Sequence, residues 1–165
     1  MRVEATGLST WLRESPSIWA FPTVLTLHTL GLGLVLGGSS IISLRVLGSA
    51  PRMPLKPLEK LFPIIWIGFA VNAASGVLLL VKAATTAGIS VLFWTKIGII
   101  VLAMIVVVRL RAAVFGGPEV DDKAISASAK ALALASIVLW TAAIVAGRLL
   151  AYVGPTQAES SVTFG

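Results

Sequence analysis

The sequence predicts an all-α integral membrane four-helix bundle. Of its 165 residues, 57% are hydrophobic and 12% are charged, and the mean hydropathy is +0.97, whereas soluble domains are roughly 25% charged. A transmembrane helix needs about 20 predominantly apolar residues, and four windows of the chain reach that length. Every acidic residue lies outside these windows. We therefore expect one small membrane domain and no second folded domain.

The four predicted spans form a domain over residues 19–153, and they cover approximately residues 19–44, 61–81, 89–108 and 131–153. The first connector, SAPRMPLKPLEK, contains three prolines, which cannot donate helix hydrogen bonds. The third, GGPEVDDK, combines turn residues with charge. Only KAATTAG separates the second span from the third. We therefore expect spans two and three to form a tight antiparallel pair.

Two flanking segments complete the chain. Residues 1–18 lack a basic segment followed by an apolar one, so no signal peptide is predicted. Their apolar residues alternate with charges and prolines, which fits either a short N-terminal interfacial helix or a polar surface segment. Residues 154–165 are mainly polar and predict a C-terminal tail.

The basic residues predict the orientation of the spans, because basic loops resist translocation. Four lie in or beside the first connector (Arg45, Arg52, Lys56, Lys60), four in or beside the third (Arg109, Arg111, Lys123, Lys130), and three on the opposite side (Arg2, Arg13, Lys82). We expect a multi-pass protein of the bacterial inner membrane with both termini in the periplasm or outside the cell. Topology and contact with anionic lipid headgroups then account for the net charge of +6, and no nucleic-acid partner is expected.

Three basic side chains lie inside the spans at a similar depth. With a rise of about 1.5 Å per residue, His28, Lys96 and Arg148 each lie roughly 7 to 13 Å from the outer end of their helix, and Asn72 lies slightly deeper. Each residue also has a structural role open to it. Arg148 can extend to the lipid headgroups, His28 can hydrogen-bond to a backbone carbonyl, and Asn72 can hydrogen-bond between helices. Lys96 cannot mark the water boundary, because too few apolar residues follow it before Arg109.

Small residues flank these polar groups. Gly31 shares a helix face with His28, which leaves room either for a flat ligand or for close helix packing. Gly68, Ser75 and Gly76 share a face with Asn72. The segment GLVLG (residues 33–37) is a GxxxG element, which favours helix packing.

Charge balance favours an anionic ligand, because no carboxylate in the spans can pair with Lys96 or Arg148. A b-type haem meets this need: His28 ligates the iron, the propionates accept hydrogen bonds from Lys96 or Arg148, and the macrocycle packs beside Gly31 and Asn72. The second axial ligand is either a neutral Lys96 amine or His28 of another chain. The chain has no cysteine and three methionines, so thiolate ligation, c-type haem and Met-rich copper sites are unavailable.

Nearly the whole chain resembles a bacterial family of four-helix inner-membrane proteins. The resemblance rests on SPSIWAFPTVLTLHTLGLG, APRMPLKPLEK, PIIWIGFAVNAASGVLL, FWTKIGII and AGRLLAYVGP, and it implies no activity. More distantly, His28 in the first helix and the W-x-K of Trp94 and Lys96 are similar to HemJ-type protoporphyrinogen oxidases and copper-resistance D (CopD) membrane proteins. In the HemJ family such a His and Lys are implicated in haem binding, so this resemblance implicates His28 and Lys96.

From these observations we expect a membrane b-type haem protein that acts in electron transfer with a quinone or a larger redox complex, as a homo- or hetero-oligomer. Three alternatives remain open: a non-catalytic subunit of a larger complex, CopD-like copper or ion transport, and an enzyme of porphyrin or quinone chemistry. The sequence has no metallohydrolase, nucleophile-triad or phosphate-loop motif. Whether the protein is an enzyme is therefore left open.

Overall fold

The structure, a computed structural model, describes residues 20–82, 91–117 and 125–160. Its helices are α1 (Ala20–Leu47), a 3₁₀ helix (Lys56–Lys60), α2 (Leu61–Lys82), α3 (Val91–Phe115) and α4 (Ala127–Ser160). Four of them are long and apolar enough to cross a membrane, and the described residues form no strand. The predicted all-α four-helix membrane bundle is confirmed. The predicted N-terminal segment (1–18) and most of KAATTAG (residues 83–88) lie outside the described residues.

The helices extend beyond the predicted spans. Arg109 and Arg111 lie on α3, and Lys130 lies in the second turn of α4. Helix α4 continues to Ser160, through residues predicted to be a tail. The physical reason is that Lys and Arg are good helix formers with long stems, so a charge ends an apolar stretch without ending the helix.

The helix pairs that pack most extensively are α1 with α2 and α3 with α4, while α1 also packs on α4. Helices α2 and α3 meet at one end, where the rings of Phe62 and Phe115 stand edge to face with centroids 5.5 Å apart. There the Arg111 guanidinium lies 5.3 Å from the Phe62 ring centroid and 3.2 Å from a Glu59 carboxylate oxygen. The predicted tight pairing of spans two and three is therefore wrong. A short connector brings two helix ends together, but their apolar and small residues decide which faces pack.

One end of the bundle, here called the basic end, carries the exposed or half-buried basic residues Arg45, Arg52, Lys56, Lys60, Arg109, Arg111 and Lys130. The large buried side chains lie in this half of the bundle and include Ile42, Val46, Phe62, Ile65 and Leu110. Near the opposite end the buried residues are small: Gly31, Ser75 and Ala146. The half of the bundle away from the basic end is therefore held together by small and polar groups.

Helix α1 ends at the basic end in a glycine cap. Gly48 has a φ of 98°, which glycine adopts without steric cost. The Ser49 N–H donates to the Leu44 carbonyl at 3.0 Å and the Gly48 N–H to the Arg45 carbonyl at 3.1 Å, the pattern of a Schellman motif. Arg45 Nε then donates to the Met53 carbonyl, so the first connector folds back onto α1.

Candidate functional site around His28

The imidazole of His28 is fixed from α2. Its Nδ1 lies 3.0 Å from the backbone carbonyl oxygen of Asn72 and 3.1 Å from Ser75 Oγ. A carbonyl oxygen only accepts, so Nδ1 carries the proton. Ser75 Oγ donates to the Val71 carbonyl at 2.6 Å, which leaves its lone pairs for the Nδ1–H. The neutral ring therefore presents Nε2 as a lone-pair donor, and Nε2 has no hydrogen bond within the part of the chain that the structure describes.

Asn72 completes a reciprocal pair with His28. Its side-chain Nδ2 donates to the His28 backbone carbonyl at 2.8 Å. Each residue thus bonds through its side chain to the backbone of the other, across the contact between α1 and α2. The amide group of Asn72 is used in joining the helices, which is the structural role that the sequence left open for it.

Glycines let the two helices approach this closely. A Cβ at Gly31 would lie 2.7 Å from both the Asn72 nitrogen and the Gly68 carbonyl oxygen, and a Cβ at Gly68 would lie 2.7 Å from Leu34 Cβ. At Gly76 a Cβ would lie 3.2 Å from His28 Cε1. The space beside Gly31 is therefore filled by the backbone of α2. Of the two roles that the sequence allowed for Gly31, the structure displays helix packing.

Lys96 reaches the same region from α3. A Cβ built at Gly147 of α4 would lie 3.4 Å from Lys96 Nζ and 3.5 Å from Lys96 Cε, so the lysine stem lies along a glycine of the neighbouring helix. Lys96 is half-buried. Among the described residues, no hydrogen-bond acceptor or carboxylate pairs with the Lys96 amine.

Arg148 follows Gly147 on α4 but its side chain is exposed. The structure therefore joins His28 and Asn72, places Lys96 against Gly147 of α4 in the same half of the bundle, and leaves Arg148 exposed beside it. The three segments that hold these residues contain no Asp or Glu: residues 21–47, 61–115 and 127–150. The local electrostatic field is consequently positive, and an anionic group would be stabilised there.

The sequence assigns no role to two residues of the site, Ser75 and Gly147. Ser75 lies three residues from Asn72, and this spacing predicts that both share a helix face. Gly147 contacts Lys96 of another helix, and no local pattern connects the two residues. Helix α3 approaches α4 only in the folded chain.

The fold and the site define a four-helix membrane protein whose half away from the basic end holds the imidazole of His28 and the amine of Lys96, which has no partner among the described residues. No protein-family model, curated protein or solved structure matches this chain. The similarity to HemJ-type and CopD proteins therefore stays a prediction. Within the described residues, His, Cys, Asp and Glu side chains form no group of three that would hold a metal ion.

Proposed function

We propose that this protein binds a b-type haem beside His28 and acts in electron transfer within the membrane. The observation that carries the proposal is the state of the His28 ring: Nδ1–H is held by the Asn72 carbonyl and Ser75 Oγ at 3.0 and 3.1 Å, while Nε2 is unused among the described residues. Metal-ligating histidines commonly donate their second ring nitrogen to a carbonyl or carboxylate in this way. A porphyrin supplies four nitrogens of its own, so one imidazole is a sufficient protein ligand.

The cations beside the ring support an anionic prosthetic group. The Lys96 amine is half-buried without a partner among the described residues, and an uncompensated charge in a membrane interior costs several kcal/mol, by estimates of about 2.5–3.5 or more. A propionate would accept from Lys96, with Arg148 next to Gly147 as a second donor. The alternative role for Lys96, as a neutral second axial ligand, and the alternative of His28 from a second chain both stay open.

The interior of the bundle also favours a prosthetic group in the half away from the basic end. Among the described residues, buried side chains such as Ser75 and Ala146 in the half away from the basic end are small, with exposures of 4% and 6%. The exposed apolar residues Leu27, Leu30 and Trp94 lie in the same half. A flat apolar macrocycle would pack against such surfaces. When bound, the haem supplies the one-electron chemistry. His28 holds it, and Lys96 and Arg148 orient its charged edge.

The positive-inside rule places the basic end in the cytoplasm and both termini in the periplasm or outside the cell. With that orientation the His28 site lies in the outer leaflet of a bacterial inner membrane. A lipid-soluble quinone or a membrane-bound redox complex would reach it there. We propose one of these as the electron-transfer partner.

A second candidate function is that of a non-catalytic subunit in a larger membrane complex. The observation that favours it is the GxxxG element: no atom of the described residues lies within 4 Å of a Cβ built at Gly33 or Gly37, so the element does not serve packing among those residues. Small residues of this kind let the backbones of two membrane helices approach. A homo- or hetero-oligomeric contact through α1 would use them.

The decisive experiment is a visible absorption spectrum of the purified full chain, oxidised and reduced, with haem and protein quantified in the same sample. Haem b at a fixed ratio to protein supports the proposal. Protein from haem-replete cells without stoichiometric haem overturns it, and copurification of a colourless chain with partner proteins then supports the subunit function. Elemental analysis of that sample addresses CopD-like copper transport, and a porphyrinogen or quinol turnover assay addresses the enzyme alternative.

A further inference from the structure

Four buried polar side chains lie on the buried faces of α1 and α4. They are Ser39 and Ser43 on α1 and Ser136 and Trp140 on α4, with exposures of 2%, 0%, 0% and 2%. Within residues 20–82, 91–117 and 125–160, the hydroxyl oxygens of the three serines and the Trp140 Nε1 have no hydrogen-bond partner. Buried polar groups without partners are rare, because each costs about 1–3 kcal/mol.

Several hydroxyl groups elsewhere in the four long helices have a partner in their own helix. Five of them donate to the carbonyl oxygen four residues earlier, at 2.6 to 2.9 Å: Thr26, Thr29, Ser75, Thr95 and Thr141. Ser39, Ser43 and Ser136 do not make this local bond. Because the three serines are at most 2% exposed, their hydroxyl groups are enclosed in the interior without this local bond.

The helix ends at the basic end set the register between α1 and α4. Helix α1 ends there at Leu47 and α4 begins there at Ala127, so these two helices, which pack together, run in opposite directions. Ser39 lies eight residues before Leu47, and Ser136 lies nine residues after Ala127. These two serines are therefore at a similar depth, about 12 to 14 Å from the helix ends at a rise of about 1.5 Å per residue.

Ser43 and Trp140 extend the pair formed by Ser39 and Ser136 along the two helices. Ser43 is one turn closer to the basic end than Ser39, and Trp140 is one turn closer to Gly147 than Ser136. The four groups form a polar seam between α1 and α4, defined by Ser39, Ser43, Ser136 and Trp140. An indole N–H only donates, whereas hydroxyls donate and accept. A ligand for the seam must therefore accept from Trp140 and exchange hydrogen bonds with serines.

We infer that the polar seam is an internal water-binding site, in which ordered water molecules bridge the three serine hydroxyls and the Trp140 indole N–H. Buried water typically makes about three hydrogen bonds to buried polar groups that lack other partners. A water molecule can accept from the indole N–H and can both donate to and accept from serine hydroxyls. The seam runs from the core at the basic end towards Gly147 and Lys96, and it does not depend on whether haem is bound.

The test is nuclear magnetic resonance of the full chain in lipid nanodiscs with ¹⁵N-labelled tryptophan. The chain has five tryptophans, and the Trp140 indole signal is assigned as the one missing in Trp140→Phe. We expect a cross-peak between water and the Trp140 indole N–H in the native chain. It should lose most of its intensity in the double variant Ser39→Ala, Ser136→Ala, while the other indole signals keep their positions and so report an intact fold.

The matched control is Thr141→Val, which removes the hydroxyl next to Trp140 that donates to the Ile137 carbonyl at 2.8 Å and is exposed rather than buried. This variant should retain the water cross-peak. Absence of the cross-peak in the native chain overturns the inference without requiring any variant to fold. Persistence of the full cross-peak in the double serine variant overturns it as well.

Discussion

His28 and Asn72 exchange hydrogen bonds across the contact between α1 and α2. The His28 Nδ1–H donates to the Asn72 carbonyl at 3.0 Å, and Asn72 Nδ2 donates to the His28 carbonyl at 2.8 Å. Two bonds in opposite directions fix the register of the helices as well as the orientation of the ring. A purely structural histidine needs only to fix the register of the helices. A histidine that ligates a metal also needs its ring held in a set orientation.

Replacing Gly31 by Ala should destabilise the bundle, because the new Cβ would lie 2.7 Å from backbone atoms of α2, which cannot rotate away. Overpacking of this kind costs about 1–3 kcal/mol. The control is Gly33→Ala on the same helix, where nothing lies within 4 Å of a built Cβ. Thermal unfolding in detergent should show a lower midpoint temperature for Gly31→Ala than for the native chain. The midpoint temperature of Gly33→Ala should not decrease. Equal midpoints for Gly31→Ala and the native chain would contradict the close contact between α1 and α2.

His28→Ala should abolish the Soret band of bound haem or convert the iron to high spin, because the variant lacks the only imidazole of the chain. The variant should still insert, since an apolar substitution in a transmembrane helix favours insertion. Thr29→Ala is the matched control: Thr29 is the next residue, is exposed, and donates only to the Leu25 carbonyl. It should keep the native spectrum. A native spectrum in His28→Ala would show that His28 serves helix packing alone.

Lys96→Met keeps the apolar stem over Gly147 and removes the amine. If Lys96 is the second axial ligand, the electron paramagnetic resonance spectrum of the ferric protein should change to that of a different ligand pair. If two chains each donate His28, the six-coordinate spectrum should stay unchanged. Thr95→Val, which removes an exposed hydroxyl bonded to the Val91 carbonyl, controls for a general effect on α3. Identical haem affinity and spectra in Lys96→Met would remove Lys96 from the site.

The four membrane-spanning helices could be predicted from the sequence, because the length of an apolar segment and the positions of the charges around it identify a membrane helix directly. It also predicts that His28 and Lys96 lie at one depth, since a constant helical rise converts sequence position into depth. Which helices pack together was not predictable. The approach of Gly31 to Gly68 and of Lys96 to Gly147 joins residues far apart in the chain, and no local periodicity encodes such contacts. The same limit hid the roles of Ser75 and Ser136, which depend on the direction of a hydroxyl group.

Arg148→Gln should preserve iron ligation and accelerate haem loss, because Arg148 would contribute a charge-assisted hydrogen bond to a propionate rather than a bond to the metal. The side chain is exposed, so the effect should be small: exposed ion pairs contribute about 0.2–1 kcal/mol, which is less than a tenfold change in rate. The measurement is transfer of haem from the purified protein to excess apomyoglobin. Lys130→Gln, an exposed cation at the basic end, should transfer haem at the native rate. The same rate for both variants would exclude Arg148 as a propionate partner.

A reporter fused to the C-terminus should lie outside the cytoplasm, because basic residues cluster at the end of the bundle that holds the first and third connectors. Alkaline phosphatase is active only when exported, whereas green fluorescent protein at the same position fluoresces only in the cytoplasm. We therefore expect high phosphatase activity and low fluorescence, and the reverse for fusions truncated within GGPEVDDK. The opposite pattern would move His28 and Lys96 to the inner leaflet. The site itself would be unaffected, because His28, Asn72 and Lys96 are held by contacts within the bundle, but its redox partner would then have to reach it from the cytoplasmic side.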